Sequence, residues 1–231
     1  MTYPAAVPSD SLDAEGIVRG VYEQFGAKAT LACSFGGAGG MVLLDIAARL
    51  FPKLDVFVLD TDFLFPETYE SLAAAEQRHG ITVRRVRSLL TPDAQAELHG
   101  PALWARDPNA CCNLRKVEPM RRAVAGYDAW ITAIRRDQSS TRQGAETVAW
   151  DDQFGLWKIS PLAHWDEARV QNYVFNHDLP LNPLLERGYS SIGCTYCTKP
   201  AASARAGRWQ GLDKTECGLH ATPVGLTVKG Q

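Results

Sequence analysis

Two close cysteine pairs, Cys111-Cys112 and Cys194 with Cys197, are the residues of this sequence best suited to metal chemistry. About eighty residues separate the pairs, which is enough chain to bring the thiolates to one site. Such a set suits either tetrahedral zinc or an iron–sulfur cluster. Adjacent cysteines diverge and fit poorly around one small ion, whereas a cluster has separated corners. The spacing favours a 4Fe–4S cluster, with zinc or unrelated structural or redox cysteines as alternatives.

A further cysteine, Cys217, lies near the end of the chain beside Gly218 and outside any apolar periodicity. A nucleophilic thiolate needs access more than packing, and this context provides it. His220, three residues away, is a candidate for favouring the thiolate or aiding proton transfer, and a solvated surface histidine is the alternative. Lys116, one turn past Cys112, is a candidate for placing positive charge near an anionic cluster, with a solvated helix lysine as the alternative. Cys33 lies in an apolar run and is expected to fill the core.

Anion binding is indicated by a glycine-rich segment from Ser34 to Gly40, which follows an apolar run. Backbone N–H groups in such a turn, at the start of a helix, form an anion cradle. The segment lacks the Walker A lysine and the G-x-G-x-x-G pattern, so an ATP hydrolase or a dehydrogenase fits badly. Basic side chains that would complete a pocket for phosphate and sulfate oxygens follow later in the chain: Arg135, Arg136, Arg142, Lys199, Arg205 and Arg208.

The elements that must position these residues alternate between strand and helix. Apolar runs predict strands at 29–34, 55–60, 81–86 and 129–133, and periodic segments predict helices at 41–50, 66–78, 113–124 and 165–177. This alternation predicts an α/β fold with a mainly parallel sheet flanked by helices. Ligands are then expected at the carboxyl ends of the strands, where the polar segment 135–144 lies.

We expect one α/β domain over residues 1–200 that carries the anion and cluster sites, and a C-terminal tail over residues 201–231 that carries Cys217. Apolar periodicity fades beyond Gly193, so the tail is expected to be mobile. Met1 to Asp10 has neither the basic start nor the apolar run of a signal peptide and is expected to be a loose leader.

Composition narrows the class of protein. The 24 Lys and Arg against 26 Asp and Glu give a net charge of −2, which does not indicate a nucleic-acid partner. No apolar stretch approaches the roughly 20 residues of a membrane span. With neither a signal peptide nor a membrane span in the sequence, we expect a cytoplasmic protein without a membrane partner. In that reducing compartment, six cysteines favour metal binding or thiol chemistry over structural disulfides.

The combined motifs resemble the adenylyl-sulfate (APS) branch of the APS/PAPS reductase family, which has the PP-loop (adenine nucleotide alpha hydrolase-like) fold. The matching stretches are Ser34-Phe35-Gly36, Leu59-Asp60-Thr61, Phe65-Pro66-Glu67-Thr68-Tyr69, Cys111-Cys112, Arg135-Arg136-Asp137-Gln138-Ser139, Ser191-Ile192-Gly193-Cys194-Thr195-Tyr196-Cys197 and Glu216-Cys217-Gly218-Leu219-His220. They span most of the chain, and the paired cysteines together with the terminal motif are highly specific.

The resemblance implies an oxidoreductase acting on a sulfur group, which reduces APS to sulfite and AMP through an S-sulfocysteine on Cys217. Thioredoxin or a similar dithiol is the implied partner, and assimilatory sulfate reduction and cysteine biosynthesis are the implied context. Members with the cluster cysteines usually act on APS, whereas members without them use PAPS, so the cysteines favour APS here. The oligomeric state stays open between a monomer and a homo-oligomer.

The resemblance also implies roles for individual residues. It assigns the cluster to Cys111, Cys112, Cys194 and Cys197, with Lys116 in the surroundings of the cluster. The substrate-binding residues that it implies are Ser34, Phe35 and Gly36 in the nucleotide loop, Leu59 against the adenosine, and Arg142, Arg205 and Arg208 at the phosphosulfate. Alternative functions are a PAPS or dual APS/PAPS reductase, a PP-loop ATP pyrophosphatase, which would not need Cys217, and a non-catalytic zinc-binding module.

Overall fold

A single mainly parallel sheet organises the computed structural model, which describes residues 13–51, 53–203 and 205–220. Its strands, in chain order, are β1 (Ala29–Ala32), β2 (Asp55–Asp60), β3 (Val83–Arg87), β4 (Ala129–Ile131), β5 (Val148–Asp151) and β6 (Leu156–Ile159). Within the sheet they follow the order β3-β2-β1-β4-β6-β5. All neighbours pair in parallel except β5 and β6, which form an antiparallel edge. The predicted α/β class with a mainly parallel sheet is confirmed.

Helices fill the connections between the strands. They are α1 (Ala14–Phe25), α2 (Ala38–Leu50), α3 (Pro66–His79), α4 (Pro92–His99), α5 (Leu103–Arg106), α6 (Pro108–Cys112), α7 (Glu118–Ala123) and α8 (Glu167–His177). A π-helical segment, Asn113–Val117, joins α6 to α7 in one continuous helical path. Pi-helical turns often mark functional sites, and this one carries Lys116.

Strand residues alternate between two apolar layers, as the period of two requires. Leu31, Val56 and Ile131 pack in one cluster with α1, α2, α3 and α8. Phe57 and Trp130 face the other way and pack with Met120 of α7. The sheet is therefore covered on both faces, and its carboxyl edge is left for ligands.

The predicted elements are present with shifted ends. The strand predicted at 29–34 ends at Ala32, and the helix predicted at 41–50 begins earlier, at Ala38, so Gly39 and Gly40 belong to its first turn. The helix predicted from Pro66 ends at its expected stop, because Gly80 adopts the left-handed conformation that a helix end favours. The polar segment 135–144 forms two 3₁₀ turns after β4.

The described part of the tail packs against the domain. Leu219 contacts the apolar layer around Trp130, and the Gln153 amide donates to the Gly218 carbonyl at 3.0 Å. The division at residue 200 and the mobility of the tail stay predictions, and residues 221–231 and the leader at Met1 to Asp10 lie outside the described residues. No helix in the described residues is long and apolar enough to span a membrane.

Candidate active site

A cavity of about 790 Å³ lies at the carboxyl edge of the sheet. Most of the predicted substrate-binding and catalytic residues line it: Ser34, Leu59, Arg142, Arg205, Arg208, Cys217 and His220, together with Lys116. Residues that are more than a hundred positions apart in sequence therefore meet at one site. Phe35 and Gly36 are not among the lining residues.

The loop between β1 and α2 forms one wall of the cavity. Gly37, Gly39 and Gly40 line it, and no side chain caps the N-terminus of α2. The Gly40 N–H donates to the Gly37 carbonyl at 3.1 Å, whereas the N–H groups of Ala38 and Gly39 remain available to an anion. Phe35 has a φ of 54°, and its buried ring packs in the main apolar cluster rather than against the cavity. A methyl group on Gly36 would lie 2.9 Å from the Ile192 carbonyl oxygen, so this close approach requires glycine.

The predicted cluster cysteines converge behind the cavity wall. Cys111 and Cys194 share a small apolar cluster with Phe63 and Leu103, and Cys197 packs against it. All are free thiols, and Cys112 follows Cys111 at the end of α6. Burial, and then repulsion from Cys112, Cys194 and Cys197, raises the pKa of Cys111 to about 12. Cys111 therefore lies within electrostatic range of the other three cysteines.

The geometry of these thiols differs from that of a site for one ion. Among the described residues, no group of three or more His, Cys, Asp and Glu side chains is arranged to hold a single metal ion. The donor chemistry nevertheless fits a multi-iron cluster, whose corners lie apart. Burial also raises the pKa of Cys112 to about 11, so loading a metal must displace protons from these thiols.

Buried polar groups beside the thiols support the same interpretation. The Thr61 hydroxyl lies 3.3 Å from Cys194 Sγ. Arg115, 1% exposed, donates to Gln95 and to the Asp62 carboxylate at 2.7 Å, but its Nη2 has no hydrogen-bond partner among the described residues. A buried cation with an unpaired donor is costly in apolar surroundings and fits beside an anionic, sulfur-rich group.

Lys116 connects the cysteine site to the cavity. It lies on the π-helical segment and lines the cavity. Burial opposes its charge, but electrostatic attraction to Cys194, Cys217 and Cys112 outweighs burial and raises the pKa of Lys116. Lys116 is therefore a cation held between the two thiol sites.

Cys217 lines the cavity as a half-buried thiol. Burial opposes its ionisation, but Lys116, the backbone N–H of Leu219 and Arg208 together lower the pKa of Cys217 below its usual value. A thiol with a lowered pKa and an open approach is the arrangement of a nucleophile. The context of Cys217 differs from that of Cys33, where burial raises the pKa to about 12.

His220 lies close to the nucleophile but carries no charge. Its ring stacks on Trp130, with centroids 5.6 Å apart, and its Nδ1 has no hydrogen-bond partner among the described residues. Burial, followed by repulsion from Lys158 and Arg142, lowers the pKa of His220 well below its usual value. The imidazole is therefore neutral at neutral pH. Of the two roles expected for it, proton transfer fits this state better than stabilisation of the thiolate.

The predicted arginines fall into two groups. Arg135 lines the cavity but is neutralised by Asp137 at 2.9 Å and Glu167 at 2.6 Å. Arg136 and Lys199 are not among the lining residues. Arg142, Arg205 and Arg208 line the cavity together with Lys116.

Sequence reasoning assigned no role to Glu216, although the residue directly precedes Cys217. Its carboxylate accepts hydrogen bonds from Arg142 at 2.8 and 2.9 Å and from Arg205 at 3.2 Å. The types and spacing of the residues gave no signal for this pairing, because it depends on the folding of the tail onto the segment after β4.

Gly193 allows the third arginine to approach the backbone. A methyl group on Gly193 would lie 2.3 Å from Arg208 Nη2. Arg208 also lies over the Trp209 ring, with its guanidinium carbon 4.5 Å from the centroid. No carboxylate pairs with Arg208 in the described part of the chain, so its charge faces the cavity without an internal counter-ion.

Curated proteins that resemble this chain over most of its length carry the name of a reductase. A protein from Halalkalibacterium halodurans named adenosine 5'-phosphosulfate reductase is 45% identical over 91% of this chain and 91% of its own length. One of the same name from Salinibacter ruber is 48% identical over 81% of this chain and 76% of its own length.

Solved structures show the same fold. A phosphoadenylyl-sulfate (PAPS) reductase from Candida auris, solved as a phosphate complex, is 28% identical with a TM-score of 0.71, covering 82% of this chain and 91% of its own. FMN adenylyltransferase from Candida glabrata, at 15% identity and a TM-score of 0.57, shares the fold alone, covering 81% of this chain and 62% of its own. The family model described as the phosphoadenosine phosphosulfate reductase domain matches residues 28–200. This match covers most of the chain, and together with the curated relatives it shows that the chain belongs to the phosphoadenosine phosphosulfate reductase domain family.

Proposed function

We propose that this protein reduces adenylyl sulfate to sulfite and AMP through an S-sulfocysteine on Cys217, in assimilatory sulfate reduction and cysteine biosynthesis. The observation that carries the proposal is a thiol of lowered pKa that lines a cavity with cationic walls and a backbone anion cradle. The names of the curated relatives support APS as the substrate.

The nucleotide would occupy the cavity between the cradle and the arginines. Leu59 offers an apolar contact for the adenosine, and Ser34 lies at the entrance to the loop. Phe35 and Gly36 act indirectly, by shaping this loop from behind. The phosphosulfate would meet Lys116 and Arg208 directly, with Arg142 and Arg205 beside them in pairs with Glu216. These cations would stabilise the charge that develops on the leaving phosphate.

The first half of the reaction is attack by the Cys217 thiolate on the sulfur of APS. The thiolate supplies the electron pair of the new S–S bond. The bond between sulfur and the bridging oxygen breaks, and AMP leaves with the electron pair of that broken bond. A thioredoxin thiolate then attacks Cys217 Sγ and releases sulfite. The second thioredoxin thiol resolves the mixed disulfide, so thioredoxin supplies both electrons and Cys217 returns as a thiol.

We also propose that Cys111, Cys112, Cys194 and Cys197 hold a 4Fe–4S cluster. When bound, the cluster would supply order and an electrostatic field at this wall of the cavity rather than electrons. Lys116 holds its positive charge between these cysteines and Cys217. Because the reaction depends on free thiols, we place the protein in the cytoplasm.

Mass spectrometry of the protein after incubation with APS, without thioredoxin, tests the proposal. We expect one sulfonate, on the peptide that contains Cys217, and its loss as sulfite when thioredoxin is added. Cys33 provides an internal reference thiol that should stay unmodified, since its pKa is raised to about 12. An active preparation that carries no sulfonate on Cys217 would overturn the mechanism.

A PAPS reductase is the second candidate, because the Candida auris structure of that name shares the fold at 28% identity. The two substrates differ by a 3'-phosphate. Sulfite production from APS and from PAPS, compared at equal concentration, separates the candidates. We expect faster sulfite release from APS, and equal or greater release from PAPS would shift the assignment.

A further inference from the structure

Glu216 lies where the tail meets the wall of the cavity. Arg142 donates to both of its carboxylate oxygens, from Nε at 2.8 Å and from Nη2 at 2.9 Å. Thr141 Oγ1 donates at 3.1 Å and Arg205 Nη2 at 3.2 Å. The Glu216 and Arg142 side chains are 14% and 10% exposed. A bidentate pair shielded from water in this way is among the stronger polar contacts in proteins.

Arg142 is fully engaged by protein groups in this arrangement. Its remaining nitrogen, Nη1, donates to Gln138 Oε1 at 2.6 Å. Gln138 also accepts from the backbone N–H of Arg135, so it is fixed to the segment that follows β4. Arg142 is therefore a rigid anchor on the domain, and Glu216 is the tail residue seated on it.

The charges of the cavity allow Glu216 to stay in place when a substrate binds. Arg135 is paired with Asp137 and Glu167, and Arg142 and Arg205 are paired with Glu216. Burial lowers the pKa of Arg205 to about 10, so Arg205 is still charged at neutral pH. Arg208 and Lys116 have no carboxylate partner in the described structure, so these two cations are left to face the dianionic phosphosulfate.

Other contacts of the tail are weaker. Gly218 is held by one hydrogen bond from Gln153, and His220 by stacking on Trp130. Among the described residues 215–220, Glu216 is the one held by ion pairs. Because Glu216 is the neighbour of Cys217, its position limits where the thiol can go.

We propose that Glu216 is a positioning residue, whose pair with Arg142 docks the tail so that Cys217 faces the substrate. This inference rests on the proposed function. The role of Arg142 is then to hold the tail, and the phosphosulfate is bound chiefly by Arg208, Lys116 and the backbone cradle.

The test compares Glu216→Gln with Asp213→Asn, a matched control that removes one negative charge from an exposed tail position. Amide hydrogen exchange over residues 215–220 measures how firmly the tail is docked. The single-turnover rate of Cys217 sulfonation by APS measures how well the thiol is positioned. The affinity for AMP, measured by calorimetry, tests the anion site. For Glu216→Gln we expect faster exchange, sulfonation slowed by about tenfold or more, and AMP affinity that is not weakened. Asp213→Asn should match the parent in all three.

Glu216→Asp keeps the charge on a shorter side chain and should lie between the parent and Glu216→Gln. Parent-like exchange and sulfonation in Glu216→Gln would overturn the inference. Faster sulfonation with tighter AMP binding would also overturn it, because Glu216 would then be an obstacle in the anion site. If the parent itself forms no sulfonate, the proposed function fails, and hydrogen exchange still decides whether Glu216 docks the tail.

Discussion

Lys116, and not His220, accounts for the ionisation of Cys217. Burial opposes the thiolate, and Lys116 is the largest of the groups that lower the pKa of Cys217. His220 is held neutral by burial and by neighbouring cations, so it adds no positive charge. From residue types and spacing, His220 was the candidate for this role, and Lys116 was expected to place its charge near the cluster. The choice between them follows from their surroundings after folding.

Replacing Lys116 with Gln tests this assignment. The cation lowers the pKa of Cys217, so its loss should raise that pKa, and the pH profile of Cys217 alkylation by iodoacetamide should move to higher pH. We expect sulfonation at neutral pH to fall by roughly 100-fold, as for other lost electrostatic groups in active sites. His220→Asn should leave the midpoint of the alkylation profile at the parent value. A profile that moves with His220 and not with Lys116 would contradict the assignment.

The sequence predicted individual residues best where chemistry constrains their spacing. The cysteine pairs and Cys217 carry signals of this kind, and the structure brings the cysteine pairs together behind the cavity and Cys217 into it. Arg136 and Lys199 were candidates by type alone, and neither lines the cavity. Basic side chains occur all over protein surfaces, so residue type alone does not show whether an arginine or lysine points into a binding cavity or into solvent.

At the scale of elements, two distant segments build the cysteine site. The end of α6 carries Cys111 and Cys112, and a 3₁₀ turn at Thr195–Cys197 carries the other pair. An isolated bridge between Leu64 and Cys194, and a hydrogen bond from the Thr195 N–H to the Phe63 carbonyl at 2.8 Å, attach the second segment to the end of β2. A cluster bound here would therefore cross-link the polypeptide.

Replacing Cys112 with Ser should remove iron and acid-labile sulfide and lower the thermal unfolding midpoint. The reason is that a bound cluster contributes its binding free energy to the folded state. The measurements are iron and sulfide analysis, visible absorption and calorimetry. Cys33→Ser, at a buried cysteine outside the site, should keep its iron. Full iron content in Cys112→Ser, or zinc in place of iron in the parent, would contradict the cluster proposal.

Strong periodicity or clear end signals made some elements predictable. Strand β2 was predicted with its observed ends, and α3 has proline at its start and glycine at its stop. Helix α1 was not predicted, because Gly16 and Gly20 interrupt an otherwise apolar face. Asp13 caps the N-terminus of this helix in the structure. Strands β5 and β6 were also missed. Each is only four residues long, and their pairing is decided by the sheet rather than by local propensity.

For the whole molecule, a buried polar group joins three helices on the face of the sheet opposite α7. Asp45 of α2 accepts hydrogen bonds from Arg49 at 3.3 Å and from the Tyr173 hydroxyl of α8 at 2.8 Å. Arg49 also pairs with Glu15 of α1 at 2.9 Å. These residues lie away from the active-site cavity, so they support the fold rather than the reaction.

Asp45→Asn should therefore separate stability from activity. Loss of the charged acceptor should lower the free energy of unfolding by about 1–3 kcal/mol, measured by urea denaturation. The KM for APS should stay at the parent value. Glu23→Gln, at an exposed position of α1, is the matched control and should be neutral in both measurements. A raised KM in Asp45→Asn would show that this network reaches the active site.

The half-buried position of Cys217 inside the active-site cavity has a kinetic consequence for the proposed reaction. In the proposed reaction, the same sulfur meets a small nucleotide within the cavity and a protein dithiol at the surface. A folded reductant is too large to enter beside AMP, so the two encounters are mutually exclusive in time. Initial rates measured against both substrates should therefore give parallel double-reciprocal lines, the pattern of ping-pong turnover.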